Sequence, residues 1–414
     1  MTNPPTYRYP SHADGQPSWK RRAVSLLGIP LVVGLLLSAC SSTANHSSSA
    51  STSPSSNSGN GSNSNSVTTC VDNVKAAVAN ESAPVQWSLN APAFSTSSLA
   101  GKKIFFDAAS LEIPFIKATL NGLQTAAKAA NVTVVPFDGS GSPATESQGI
   151  LQAVSAHYDA IVLDSVLPDQ NQTQLAAAKA ASIPVVSFGS VNAGAPLEPN
   201  VQGEVAFSFS DAGKYMADEA ILDSRCNVNG VIFNSSDIGT VTQSEIGGIT
   251  GELKKYCPST CNATITDTQV ANWATALPGL TRTGIANQKV NWLFPLFDGM
   301  ALYIDPAVVA AQAASRVHVA TFNASSGIVQ QLKQSNSPLY ADVGSLSEWL
   351  GFAIADQTFR VMAGQAAIPN ADVPLRTFDR ANASSIDFNA PETEWYGASA
   401  DFIKHYDTLW KVTG

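Results

Sequence analysis

The 414-residue chain is poor in charge, and poorer still in positive charge: charged residues make up 13% of it, with 23 Lys and Arg against 32 Asp and Glu, a formal net charge of −9. A nucleic-acid partner would want a basic stripe, so that class is excluded. Histidine is scarce as well. His12, His46, His157, His318 and His405 stand at no ligand spacing, which leaves nothing for a zinc site. The chain has no G-x-S-x-G nucleophile elbow and no histidine placed to activate a serine. The glycine-rich loop DGSGSP (138–143) lacks both the Walker lysine and the dinucleotide fingerprint and reads as a turn. DQNQTQ (169–174) has the look of a calcium loop, but Gln174 stands where glycine is needed and Ala180 where the last acid is needed. No cofactor, no metal and no enzymatic activity are therefore expected.

Long apolar runs are missing too, with one exception near the start. AVSLLGIPLVVGLLL (23–37) is too short to span a bilayer comfortably and follows Lys20, Arg21 and Arg22, so residues 1–39 read as a signal peptide. It ends in Leu37-Ser38-Ala39-Cys40, which is similar to a bacterial lipobox, the thiol of Cys40 being the expected lipidation site. From Cys40 to about residue 69 the chain is mostly serine and asparagine and cannot bury enough apolar surface to offset ordering. A coil of that length reaches roughly 30 Å. Anchor and tether together place the body outside the cytoplasm, held to the cell membrane.

The body, 70–414, suits two domains of ordinary size. Its cysteines, Cys70, Cys226, Cys257 and Cys261, belong to an oxidising compartment, and four allow three pairings. The turn YCPSTCNATI favours Cys257 with Cys261, leaving Cys70 for Cys226.

From Lys102 onward, short apolar runs alternate with helical patterns: KKIFF, VTVVPF, DAIVLD and IPVVSF in a first set, then VNGVIF, CNATIT, VNWLFPLF, HVATF and PLYADV in a second. Alternation of this kind means βαβ units, and strands apolar throughout mean parallel sheets covered on both faces. Two doubly wound α/β lobes follow, each with its ligand-binding edge at the carboxyl ends of its strands.

The phrases IPFIKATLNGLQTAAKAANVTVV, YDAIVLDS, ASIPVVSFGS, LFDGMALYI and HVATFNASSG, in this order and spacing, make the chain similar to type 1 periplasmic binding proteins, the ribose-binding-like solute receptors of ABC importers. The resemblance covers about 102–366. It implies two Rossmann-like lobes joined by a three-segment hinge: lobe 1 about 70–209 plus 345–375, lobe 2 about 210–344 plus 376–414. It also implies a monomer that captures a small sugar-like or weakly polar ligand and delivers it to an ABC permease; a sensory lipoprotein of the same fold is the alternative.

Carrying the family's ligand contacts over gives Phe115 and Trp273 as stacking rings, Asn323 as a two-way hydrogen-bonding group and Ser345 at the start of the last helix. Asp164, at the end of the third strand, and Asp298 stand beside the expected cleft. Departures fall at Gly189-Ser190, where sugar receptors carry a charged pair, at Gln243 in place of an arginine, and at Phe297 in place of an asparagine. Charged forks fix vicinal hydroxyls, so this pocket is expected to be less charged and more aromatic than a pentose site. Plainer readings stand beside these: Phe115 and Phe297 as core packing, Asp164 and Asp298 as helix caps.

Overall fold

The computed structural model describes residues 61–369, 373–397 and 402–411. The expected signal peptide and Cys40 lie outside the described residues, as does the tether up to residue 60. Residues 61–69 do not read as tether in the structure. They belong to helix α1 (Gly61–Glu81), where Cys70, Val74 and Val78 recur at helical spacing and are all buried.

The first sheet holds β1 (Lys103–Ala108), β2 (Thr133–Asp138), β3 (Ala160–Asp164), β4 (Val185–Asn192) and β5 (Gly203–Phe207), all parallel, in the order β2-β1-β3-β4-β5. Between them run α2 (Pro114–Ala129), α3 (Pro143–Ser155) and α4 (Gln172–Ala180). Helix starts follow local chemistry: proline opens α2 and α3, where its missing N–H costs nothing, and the Ser142 Oγ caps α3 by accepting from Thr145 N–H at 3.4 Å. Strand β5 is not foreseen by the alternation, because Glu204 interrupts its apolar pattern. That carboxylate is buried nonetheless, since it accepts from the hydroxyls of Ser187 and Ser190 on β4.

The chain then crosses into α5 (Phe209–Asp223) and builds a second sheet from β6 (Asn229–Asn234), β7 (Asn262–Asp267), β8 (Trp292–Pro295), β9 (His318–Phe322) and β10 (Leu339–Gly344), with α6 (Thr240–Tyr256), α7 (Trp273–Ala286) and α8 (Asp298–Ala310) between. It crosses back into α9 (Ser347–Met362), which packs on α2 so closely that a Cβ at Gly351 would lie 2.2 Å from Leu123 N. It returns as β11 (Arg376–Asp379), antiparallel to β10, completing the order β11-β10-β9-β8-β6-β7. The two parallel-dominated sheets are the expected α/β architecture, and between β5 and α5, between β10 and α9, and before β11 the chain passes from one to the other.

Both ends depart from the expected lobe boundaries. Helix α1 packs on α5 and β11, hence on the second lobe. After α10 (Arg380–Ala383) and α11 (Glu392–Trp395), α12 (Phe402–Leu409) docks on α9 of the first lobe, not on the second as a boundary of 376–414 implies. Aromatic spacing is the cause: Phe402 stacks on Trp349 with centroids 5.4 Å apart, and Trp410 stacks on Phe352 at 5.7 Å. The strap after α1 runs alongside, with Phe94 N–H donating to Leu409 O at 2.7 Å. Both expected disulfides are present, Cys70–Cys226 and Cys257–Cys261.

Candidate functional site

The carboxyl ends of the two sheets face each other across a cleft, and the lobes touch on both sides of it. On one side Leu167 packs under Gly239; on the other Ile113 reaches Gly299 and Gly141 lies beside Ala271. Between them is a cavity of about 50 Å³.

The first lobe contributes a cluster of rings. Phe115, in the first turn of α2, lies 6.1 Å from Phe188 midway along β4 and 5.9 Å from Phe207 at the end of β5, and Phe207 meets Phe209 at 5.5 Å. The second lobe contributes Trp273 and Phe297, stacked with centroids 6.4 Å apart. The Trp273 indole N–H donates to Ser235 Oγ at 2.6 Å, which fixes the ring and satisfies its only polar group. Ile238, Val241 and Val270 fill the gaps.

Polar groups are few. Ser165 and Asn323 are the lining residues with polar side chains, and both occupy the left-handed half of backbone space, with φ of 60° and 126°; Gly189 lies there too, at 69°. Backbone strain of this kind collects where surrounding structure enforces it, here at the strand ends that face the cleft. Asn323 is held by its N–H donating to Val343 O at 2.7 Å, and Ser165 by its N–H donating to Phe188 O at 3.0 Å.

Of the sequence-predicted residues, the structure brings Phe115, Gly189, Trp273, Phe297 and Asn323 together on the cavity wall. Two carboxylates stand just behind it. Asp164 is fully buried, accepts from Ser165 Oγ at 3.1 Å, and is pushed up to about 8 by burial. Asp298 accepts from Ser325 N–H at 2.6 Å and is pushed up to about 7 by burial, against the lowering effect of that bond. Its bond ties α8 to the turn after β9, so Asp298 braces that turn.

Three predicted residues lie elsewhere. Ser190 is turned from the cavity by the positive φ of Gly189 and donates to Glu204. Gln243 is exposed, since the buried face of α6 at this turn is made by Val241, Thr242 and Glu245. Ser345 Oγ donates to the carbonyls of Val373 at 3.1 Å and Pro374 at 3.0 Å, joining two hinge segments. Of the rings that sequence reasoning missed, Phe188 lies midway along β4, just before Gly189, and Phe207 and Phe209 sit at and just past the end of β5. The phrase VVSFGS carries the signal for Phe188; Phe207 and Phe209 become visible only once β5 is recognised.

Among the described residues no group of His, Cys, Asp and Glu is placed to hold a metal ion, and no helix is long and apolar enough to cross a membrane.

Residues 104–366 match the family described as "Periplasmic binding protein domain". Solved structures share the fold. A 5-methylthioribose transporter solute-binding protein from Thermotoga lettingae, in complex with 5-methylthioribose, superposes with a TM-score of 0.65 at 17% identity, covering 76% of this chain and 99% of that one. An ABC sugar transporter subunit from Rhodobacter sphaeroides gives 0.60 at 16% identity over 69% and 100% of the two chains. A periplasmic solute-binding protein from Actinobacillus succinogenes with bound D-allose gives 0.59 at 18% identity over the same shares. No curated protein matches the chain.

Proposed function

The chain belongs to the periplasmic binding protein family, whose members are non-enzymatic receptors that work outside the cytoplasm, and from that premise we propose that it is a membrane-tethered lipoprotein which captures a small sugar-like or weakly polar solute between its lobes and hands it to an ABC permease. The observation that carries the reading is the cavity at the carboxyl ends of both sheets, walled by rings from both lobes. A solute touching both walls binds the closed arrangement best and so draws the population toward it.

The two chain segments behind each part of the proposal are distinct. Capture rests on the cleft, and its hinge passes through 207–209, 344–347 and 373–376. Anchoring rests on Cys40 and the tether. Delivery to a permease is in keeping with the solved neighbours described as ABC transporter components, one of which holds 5-methylthioribose, a sugar bearing an apolar group.

No Lys or Arg lines the cavity, and the nearest buried acids are held toward their neutral forms. Binding is therefore expected to change little with added salt. Small-angle scattering on the body, with solutes found by a thermal-shift screen of sugars, polyols, nucleosides and aromatic compounds, tests the receptor reading: compaction at saturating solute supports it, and an unchanged radius with a solute that binds overturns it.

A further inference from the structure

The cavity is one of two adjoining chambers. Outside it, toward the surface, lies a second space of about 200 Å³ that shares Ile113, Val270 and Trp273 with the first and adds Ser110, Glu112, Ser140 and Tyr303. The two differ in chemistry. The inner wall is aromatic and aliphatic apart from Ser165 and Asn323; the outer wall carries two serines, a carboxylate and a phenol.

Size decides what each can take. A water needs roughly 10–15 Å³ by this measure, so the inner chamber has room for about three to five waters. Counted at a water's share of liquid volume, that is roughly the space in which an apolar cavity holds benzene. A whole sugar ring with its hydroxyls does not fit, and its hydroxyls would lose their water against phenyl faces with few partners. An apolar group of about four to six heavy atoms fits, and finds rings on both sides.

We infer that the solute is amphipathic: a compact, uncharged apolar group seated among Phe115, Phe188, Phe207 and Trp273, joined to a hydroxyl-bearing portion that lies in the outer chamber against Ser110, Ser140 and Tyr303. The inference rests on the cleft being the receptor site and names the class of solute that site takes. Ile113, Val270 and Trp273 form the collar between the two portions, and because Ile113 comes from one lobe and Val270 and Trp273 from the other, lobe closure tightens it around the joint.

The test uses benzyl alcohol as a probe of the inner chamber and benzyl β-D-glucopyranoside as a probe of both, with D-glucose as the control lacking the apolar group. Binding is followed by saturation-transfer NMR and titration. The expected result is that benzyl alcohol binds, the glycoside binds at least tenfold tighter and displaces it, and D-glucose does neither. Ile238→Asp, which sets a carboxylate in the inner wall at a half-buried position, should weaken both ring-bearing probes at least tenfold; Val270→Glu repeats the test should the first variant melt early. Ala271→Trp, filling the outer chamber from an exposed position, should collapse the ratio of the two affinities toward one. D-glucose binding while benzyl alcohol does not, or a ratio unmoved by Ala271→Trp, overturns the inference and leaves the receptor reading standing. Binding by none of the three overturns it as well, and the receptor reading is then judged by lobe compaction with any solute from the screen.

Discussion

Replacing Asp107 by asparagine should make the protein more resistant to alkaline destabilisation. Asp107 sits in β1 beneath the cleft, fully buried, and neither carboxylate oxygen has a hydrogen-bond partner. Burial, and next the charge of Glu146, push it up to about 8 from an ordinary 3.8. The folded state thus keeps a proton that the unfolded chain releases near pH 4, so stability is greatest at low pH and falls as pH rises through this window. For one such group the slope is about 1.4 kcal/mol per pH unit, which comes to about 4 kcal/mol between pH 5 and pH 8. Asparagine has nearly the same shape and no proton to lose. Asp107→Asn should therefore match the parent in urea unfolding near pH 5 and exceed it by a few kcal/mol near pH 8. Parallel stability curves for the two proteins across that range would refute the reasoning, because they would mean that Asp107 either ionises freely or has a partner in the folded state.

Trp273→Ala should weaken solute binding about tenfold or more, since a stacked ring contributes roughly 1–3 kcal/mol; calorimetry showing unchanged affinity would place the solute elsewhere. The same change leaves Ser235 Oγ without its donor and empties a buried site, so melting should also fall, by about 3–5 kcal/mol of stability. Replacing Cys70 and Cys226 together by serine opens a link between residues 156 apart and should cost about 2–5 kcal/mol in denaturant titrations, against distinctly less for the Cys257–Cys261 link across a separation of 4. Cys40→Ser should release the protein from membranes or leave it unprocessed, and a mature, membrane-bound mutant on detergent fractionation would sink the lipobox reading.

Most of the fold could be read from the alternation of apolar runs with helical patterns, because a parallel strand covered on both faces leaves a continuous apolar word in the sequence. IFF, VVPF and IVLD are such words; EVAF, with Glu204 inside it, is not, and β5 escaped for that reason. Chain ends were harder. The composition of 61–69 is that of a tether, and only the stripe Cys70, Val74 and Val78 that follows explains why a helix runs through it. The placement of α12 depends on Trp349 and Phe352, more than forty residues upstream, which no local pattern announces. Within the cleft, Phe115 at a helix start, Gly189 in β4 and Asn323 just past β9 line the cavity. Ser190 and Gln243 do not, because the positive φ at Gly189 turns Ser190 toward Glu204 and α6 buries Val241, Thr242 and Glu245 while leaving Gln243 exposed. Such turns are set by packing partners distant in sequence.

Helix α1 has a mechanical consequence. It lies on the second lobe, and the bond from Cys70 to Cys226 fastens it three residues beyond the end of α5. If that end of the chain is held, as the proposed tether requires, the covalent link leads the pull into α5 and the second sheet before the strap carries the chain on to β1. On the proposed tether reading, the second lobe is then the one held, and the first lobe, joined to α1 only through the strap that leads into β1, is the one that moves against it.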